Sequence, residues 1–230
     1  MLKSKESSLH RSLKFQYSGS NGTTETLVGD YVCDALTSDG EIIEVQTGSF
    51  GPLKEKVKNL TKNARLRIIH PIIIKKHIEL YDAAGGFVHK RKSPRKGSRW
   101  DLFNALIYAP QLPLLKNLVI ELVLIDVLEK RIDDGCGSWR RKGVRINDRF
   151  LAGFHETLIL KGPKDYFQFL PFKKNENFTV KELSEKTGIN TKLARKTIYV
   201  FGKMGLVEKY GKQGRAFIYR YAKKLPKEAL

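Results

Sequence analysis

The sequence contains no run of eighteen or more apolar residues, so no segment of it reads as a transmembrane helix. Cysteine is scarce: Cys33 and Cys136 are the only two, in unrelated surroundings, and the five histidines are scattered. A zinc site needs Cys and His clustered at short spacings, so none is expected. A disulfide between the two cysteines is disfavoured in a reducing cytosol. There is no internal repeat and no long low-complexity segment. The opening stretch MLKSKESSLHRSLKF lacks the apolar core of a secretory signal. Its basic, Ser-containing character suits a transit peptide, but Glu6 and the spacing of Leu9 and Leu13 favour a folded first helix. The expectation is a cytoplasmic protein without membrane attachment.

Acidic residues are outnumbered, with 24 Asp and Glu against 43 Lys and Arg, a net charge of +19 and a pI near 9.9. Such an excess attracts polyanions, nucleic acid first and an anionic membrane surface second. A chain of 230 residues, 41% hydrophobic, accommodates one large domain or two modest ones.

Leu9, Leu13 and Tyr17 recur at one face of a helix over residues 6–17, and SGSNGTT (18–24) ends it. Residues 31–37 and 41–47 read as strands joined by Ser38-Asp39-Gly40, a three-residue hairpin loop with Gly last. Pro52 opens a second helix whose Leu53, Val57 and Leu60 share a face. RLRIIHPIII (65–74) predicts a buried strand that Pro71 ends or bends. LVIELVLIDVL (118–128) predicts a core strand, with a helix as the rival assignment. Basic loops are expected at HKRKSPRKGSR (89–99) and GCGSWRRKG (135–143), a mixed segment at 145–170 and a linker at PFKKNEN (171–177).

From Phe178 the pattern changes. Thr179 followed by Glu182 forms a capping box, Val180 and Leu183 face inward, and Gly188-Ile189 makes a tight turn. A second helix follows at 191–205, with Leu193, Ala194, Ile198 and Val200 inward, then strands LVEKY and RAFIYR joined by GKQG (211–214). Helix, turn, helix and hairpin is the order of a winged helix-turn-helix, which residues 165–222 resemble. The resemblance implies that the second helix enters the major groove. It would present Lys192, Arg195, Lys196, Tyr199 and Lys203, with Lys209, Lys212, Gln213 and Arg215 on the wing. The competing reading is a protein-contact module with a solvated basic face.

The segment GDYVCDALTSDGEIIEVQTGSFGPLKEKV carries the sharper chemistry. If Thr37 pairs with Glu41, then Leu36 faces Ile42 and Asp34 faces Glu44. Alternation places Asp34, Glu44 and Gln46 on one face and Cys33, Ile43 and Val45 on the other. Two opposed carboxylates repel unless a cation lies between them, and oxygen donors suit Mg²⁺ or Mn²⁺. The bland alternative is a DG hairpin whose Glu44 pairs with a nearby lysine and whose Asp34 caps a turn.

An aspartate, about ten residues, then Glu-x-Gln on the next strand resembles the PD-(D/E)xK nuclease superfamily over residues 6–130. First helix, carboxylate-bearing hairpin, helix and core strand match in order. The tract EVQTGSF, then HPI, then KSPRKGSRWDLF is similar to a group of uncharacterised bacterial proteins with this nuclease-like fold and a C-terminal winged helix. The resemblance implies an α/β fold, a restriction-endonuclease-like mixed sheet flanked by helices, with a nuclease-like domain at 1–162 and a winged helix at 163–230. It also implies metal ligands at Asp34 and Glu44, a further acidic group at Glu25, and catalysis by Glu25, Asp34, Glu44 and Gln46. The superfamily usually has Lys where this chain has Gln46. Lys14, Lys54 and Lys58 are candidates to replace it, and His10, one turn before Lys14, shares its helix face.

The expected reaction is metal-assisted hydrolysis of a DNA phosphodiester, with Gln46 positioning the water. The backbone would be gripped by Lys90, Arg91, Lys92, Arg95, Lys96 and Arg99, and by Arg140, Arg141 and Lys142. Trp100 is expected to be a packing anchor, while Trp139 is a candidate to stack on bases. A catalytically silent DNA-binding regulator and an RNA-processing nuclease are the alternatives, since charge does not distinguish RNA from DNA. Cutting both strands usually needs two sites, which makes a homodimer a candidate assembly.

Overall fold

The computed structural model describes residues 6–223, so residues 1–5 and 224–230, the ends of the two expected domains, lie outside the described residues. Helix α1 (Ser8–Ser18) is capped by Ser7, whose hydroxyl accepts the His10 N–H at 3.3 Å. Its Leu9 and Leu13 are buried, as their four-residue spacing predicts. A hairpin follows, β1 (Thr23–Val28) with β2 (Tyr31–Leu36), then β3 (Ile42–Val45), α2 (Lys54–Leu60) and β4 (Leu66–Asp82). Strand β1 was not anticipated, because the Gly- and Thr-rich stretch 18–24 reads as a helix breaker. The Thr37 N–H donates to Glu41 O at 3.0 Å and Leu36 pairs with Ile42, the predicted hairpin register.

The chain continues through β5 (Phe87–Lys92), α3 (Leu102–Leu106), β6 (Leu118–Asp133) and β7 (Val144–Leu160). Seven strands form one mixed sheet in the order β1-β2-β3-β4-β6-β7, with β5 also on β4. Strands β1, β2 and β3 run antiparallel, β4 is parallel to both β3 and β6, and β7 is antiparallel to β6. Helices flank both faces. On one, Leu9 and Leu13 pack on Ala35, Ile43, Val45, Ile69 and Val123. On the other, Val57 and Leu60 of α2 and Phe103 of α3 join Ile42, Ile68 and Leu122.

Several expectations are corrected. Pro71 neither ends nor bends its strand out of the sheet: β4 runs on to Asp82. Pairing with β3 stops at Val45–Ile69, and pairing with β5 begins at His77, so Pro71 falls in a gap along that edge where no strand asks for its missing N–H. Residues 87–92 are a strand, not a loop, and the mixed segment is the 17-residue β7. Three register shifts against β6 and a half-exposed face blur the two-residue period of β7. The rival helix for 118–128 is excluded, since those residues lie in β6.

The C-terminal part comprises β8 (Phe178–Thr179), α4 (Val180–Thr187), α5 (Thr191–Lys203), β9 (Val207–Gln213) and β10 (Ala216–Tyr221), with a small sheet β8-β10-β9. The capping box forms: Thr179 N–H donates to Glu182 Oε2 at 2.7 Å, and Glu182 N–H to Thr179 Oγ1 at 3.2 Å. Gly188 ends α4 at φ 70°, a left-handed position that glycine takes without a Cβ clash. The hairpin turn lies at Gly214–Arg215 instead of across GKQG, because β9 extends through Gln213. This part shares its core with the sheet, and the rings of Phe103 and Phe201 lie 5.5 Å apart.

Candidate active site and basic clefts

Asp34 and Glu44 come together where β2 and β3 separate. The regular ladder ends at Ala35–Ile43. Beyond it the Asp34 carboxylate, not a main-chain carbonyl, accepts the Val45 N–H, at 2.8 Å, and the Asp34 N–H donates to Glu44 Oε1 at 3.4 Å. This irregularity corrects the predicted alternation. Ile43 and Val45 share the α1 side as expected, but Cys33 packs on the α2 side with Ile42 and Val57. Asp34 and Glu44 do not share one face as predicted: the Asp34 carboxylate meets His10 of α1 and the Glu44 carboxylate meets Lys56 of α2.

Each carboxylate meets its own basic group. His10 Nε2 lies 3.1 Å from Asp34 Oδ2, the approach that its place on α1 predicts. Lys56 of α2 contacts Glu44 Oε1 and donates to Val32 O at 2.7 Å. Lys14 reaches Glu6 at 2.8 Å and Glu25 at 3.0 Å. Burial pushes the Asp34 carboxyl up, but the His10 ring, the Val45 N–H and Lys14 together hold it below its ordinary range. Burial pushes Glu44, only 4% exposed, above its ordinary value, with Lys56 pulling back. Burial also opposes the charge on Lys14, yet Glu6 and Glu25 raise it above the usual lysine value.

Glu25 lies on β1, between the Thr24–Ala35 and Thr26–Cys33 pairs. Its φ of 53° breaks the strand geometry there. Gln46 turns elsewhere: its Nε2 donates to Ser49 O at 2.5 Å. Of the substitute lysines, Lys14 joins the cluster, whereas Lys58 pairs with Glu55 at 3.4 Å. Lys56, not one of the named substitutes, takes the position at Glu44, which is the pairing with a nearby lysine that the bland alternative expected. Among the described residues no group of three or more His, Cys, Asp or Glu is placed to hold a metal.

The predicted backbone-binding residues fall in three places. Lys90, Arg91 and Lys92 line β5, with Lys90 on Glu79 at 3.2 Å. Arg140, Arg141 and Lys142 sit in the turn between β6 and β7, beside Trp139, which is 83% exposed and 5.5 Å from the Arg140 guanidinium. Lys192, Arg195, Tyr199 and Lys203 are exposed on α5, and Lys212 and Arg215 on the β9–β10 hairpin. Lys196 is half-buried and donates to Asn104 at 2.7 Å. Arg95 and Lys96 line a cleft shared with Lys192 and Lys196, so one basic loop and α5 are brought together. Arg99 lies over the Phe169 ring at 5.6 Å. Trp100 is buried against Phe103 and Phe169, a packing anchor as expected.

The chain belongs to the family described as a domain of unknown function (DUF8091), which it matches over residues 7–161. That span runs from α1 to β7 and includes both carboxylates. One relative is an uncharacterised protein of Treponema pallidum (strain Nichols), 28% identical over 217 residues, 94% of this chain and 85% of that protein. No solved structure matches. Among the described residues no helix is long and apolar enough to cross a membrane.

Proposed function

We propose that the chain is a metal-dependent nuclease acting on DNA, with its reaction centre at Asp34 and Glu44. The observation that carries the reading is the adjacency of Asp34 and Glu44 at the parting of β2 and β3, where the Asp34 main-chain N–H reaches the Glu44 carboxylate, with His10 and Lys14 about Asp34 and Lys56 on Glu44. The order α1-β1-β2-β3-α2-β4 accords with the PD-(D/E)xK resemblance. Two carboxylates, one of them already engaged by the His10 ring and neither, among the described residues, part of a group of three or more His, Cys, Asp or Glu placed to hold a metal, fit Mg²⁺ or Mn²⁺, which complete their shell with water and substrate phosphate, better than a closed zinc site. Asp34 and Glu44 would hold the ion, which when bound supplies a Lewis acid and a water of lowered pKa.

The other roles belong to side chains of the chain itself. His10 fixes the orientation of Asp34. Lys56, released from Glu44, offers its ammonium to the charge that develops on the phosphate, the task the superfamily usually gives to the residue standing here as Gln46. Gln46 holds the loop after β3 through Ser49 O. Glu25 keeps Lys14 beside Asp34. The α4-α5-β9-β10 unit reads as a winged helix, with Lys192, Arg195 and Tyr199 toward the groove and the hairpin lysines on phosphates.

The test offers plasmid, linear duplex, single-stranded DNA and structured RNA with Mg²⁺ or Mn²⁺. Cleavage lost with EDTA and in Asp34→Ala and Glu44→Ala supports the reading; preferred cleavage of RNA would change the substrate. No cleavage of any substrate, with salt-sensitive binding intact, would favour a catalytically silent DNA-binding regulator. The Gln46–Ser49 contact is the observation in favour of that second reading.

A further inference from the structure

The gap along β4 opens a second cleft that the carboxylate site does not use. Strand β3 ends at Val45, β4 continues to Asp82, and β5 takes up the same edge only from His77. The loop 93–97 bridges part of the opening, with Ser93 N–H on Lys76 O at 2.8 Å and Gly97 N–H on Ile73 O at 2.9 Å. A Cβ at Gly97 would meet Ile73 O at 2.4 Å, so glycine permits this close approach. What remains is a cleft of about 380 Å³, outside the carboxyl end of a parallel strand, where open α/β sheets commonly take ligands.

Its lining combines two chemistries. Lys76, Arg95 and Arg149 supply positive charge. Glu129 pairs with Lys76 at 3.3 Å and with Arg149 at 2.9 Å, and also with Arg131, so one carboxylate meets three cations. No ion pair holds Arg95 among the described residues. Asp101 also lines the cleft, but it accepts from Ser98 N–H at 3.2 Å and from Asn104 at 3.0 Å. His70 is the other element. It is 5% exposed and its Nδ1 lies 2.5 Å from Gln46 O. A carbonyl only accepts, so Nδ1 carries the proton and Nε2 is left as the acceptor of a ring that lines the cationic cleft. Burial lowers the His70 pKa and keeps the ring neutral. A fully ionised anion such as sulfate has no donor for that acceptor. A nucleotide does, because it carries hydroxyl or amino donors beside its phosphate.

We infer that this cleft binds a single nucleotide, its phosphate on Arg95, Lys76 and Arg149 and a sugar or base donor on His70. Arg95 and Asn104 also line the adjoining cleft against Lys192 and Lys196 of α5, which gives a strand a path out of the site. The assignment goes beyond the proposed cleavage, since it needs neither the metal nor Asp34 and Glu44. Free mononucleotide and a strand end or splayed-out nucleotide share this chemistry.

The experiment is calorimetry in EDTA on the full chain with deoxynucleoside monophosphate, a 5′-phosphorylated tetranucleotide and inorganic phosphate. The expected result is one saturable site for at least one nucleotide ligand, at least tenfold tighter than phosphate; the tighter of the two identifies the source. Arg95→Glu, on an exposed side chain, should weaken it more than tenfold. Gly48→Leu, where a Cβ meets nothing nearer than Gln46 Nε2 at 4.0 Å, should block it by filling the cleft. Lys116→Glu, on an exposed side chain just before β6 and outside both clefts, should leave mononucleotide binding unchanged. Absence of saturable nucleotide binding, binding equal to that of phosphate, or binding indifferent to Arg95→Glu and Gly48→Leu would overturn the inference. Because metal is absent, failure of cleavage elsewhere leaves this result intact.

Discussion

Lys56, on α2, lies against the buried carboxylate of Glu44 in β3 and is anchored there by a 2.7 Å hydrogen bond to Val32 O. Removing the ammonium would strand a carboxylate that is 4% exposed. Lys56→Ala should therefore cost about 3 kcal/mol of stability, as for a broken buried ion pair. Lys56→Ala with Glu44→Gln should recover most of that loss. Urea unfolding of the single and double variants measures both, and a single-variant loss below about 0.5 kcal/mol would show the pair to be unimportant for stability.

Glu129 sets a second test, remote from the proposed metal ligands. Burial opposes its charge, but Arg149, Arg131 and Lys76 win and depress its pKa to about 2 from 4.5. A depressed carboxyl stabilises the fold above its unfolded pKa, and that stability is lost as pH falls toward the folded value. The wild type should lose on the order of 3 kcal/mol between about pH 4.5 and 2 through this residue. The acid limb of a stability–pH curve should be shallower in Glu129→Gln, which should already be weaker at pH 7. Parallel limbs in the two proteins would contradict the assignment.

The contact between Phe103 and Phe201, with rings 5.5 Å apart, ties α3 to α5. Phe201→Ala should cost about 3–5 kcal/mol. Because the core is continuous, Trp100 fluorescence and far-UV circular dichroism should report one coincident transition. Two separate transitions in the wild type would mean that the C-terminal unit folds independently.

On the nucleic-acid reading, Lys192 and Arg195 of α5 contact phosphates. Each alanine substitution should reduce the slope of log affinity against log salt by about 0.9. Lys196→Ala should have a smaller effect, since that ammonium is already on Asn104. Fluorescence anisotropy across a salt series discriminates these outcomes, and unchanged slopes for Lys192→Ala and Arg195→Ala would remove α5 from the interface.

The local layout was largely legible. The Leu9–Leu13 spacing, the register across Ser38-Asp39-Gly40 and the Thr179–Glu182 capping box each depend on neighbours a few residues away, and each is present in the fold. The face of Cys33 was not legible, because it depends on Asp34 accepting the Val45 N–H across the hairpin. The length of β4 past Pro71 was equally hidden, since it depends on which edge lacks a partner strand.

What the sequence determined by itself is the set of elements with strong periods or turn chemistry, and the chemical kinds available: two carboxylates ten residues apart, scattered lysines and a positive balance. These follow from local backbone geometry and composition. Tertiary structure alone decided which lysine meets Glu44, which loop lies beside α5 and where a cleft opens. Those are contacts between residues far apart in the chain, such as Lys196 with Asn104, and they are fixed by how the sheet and helices bury their apolar faces together. No local pattern encodes them.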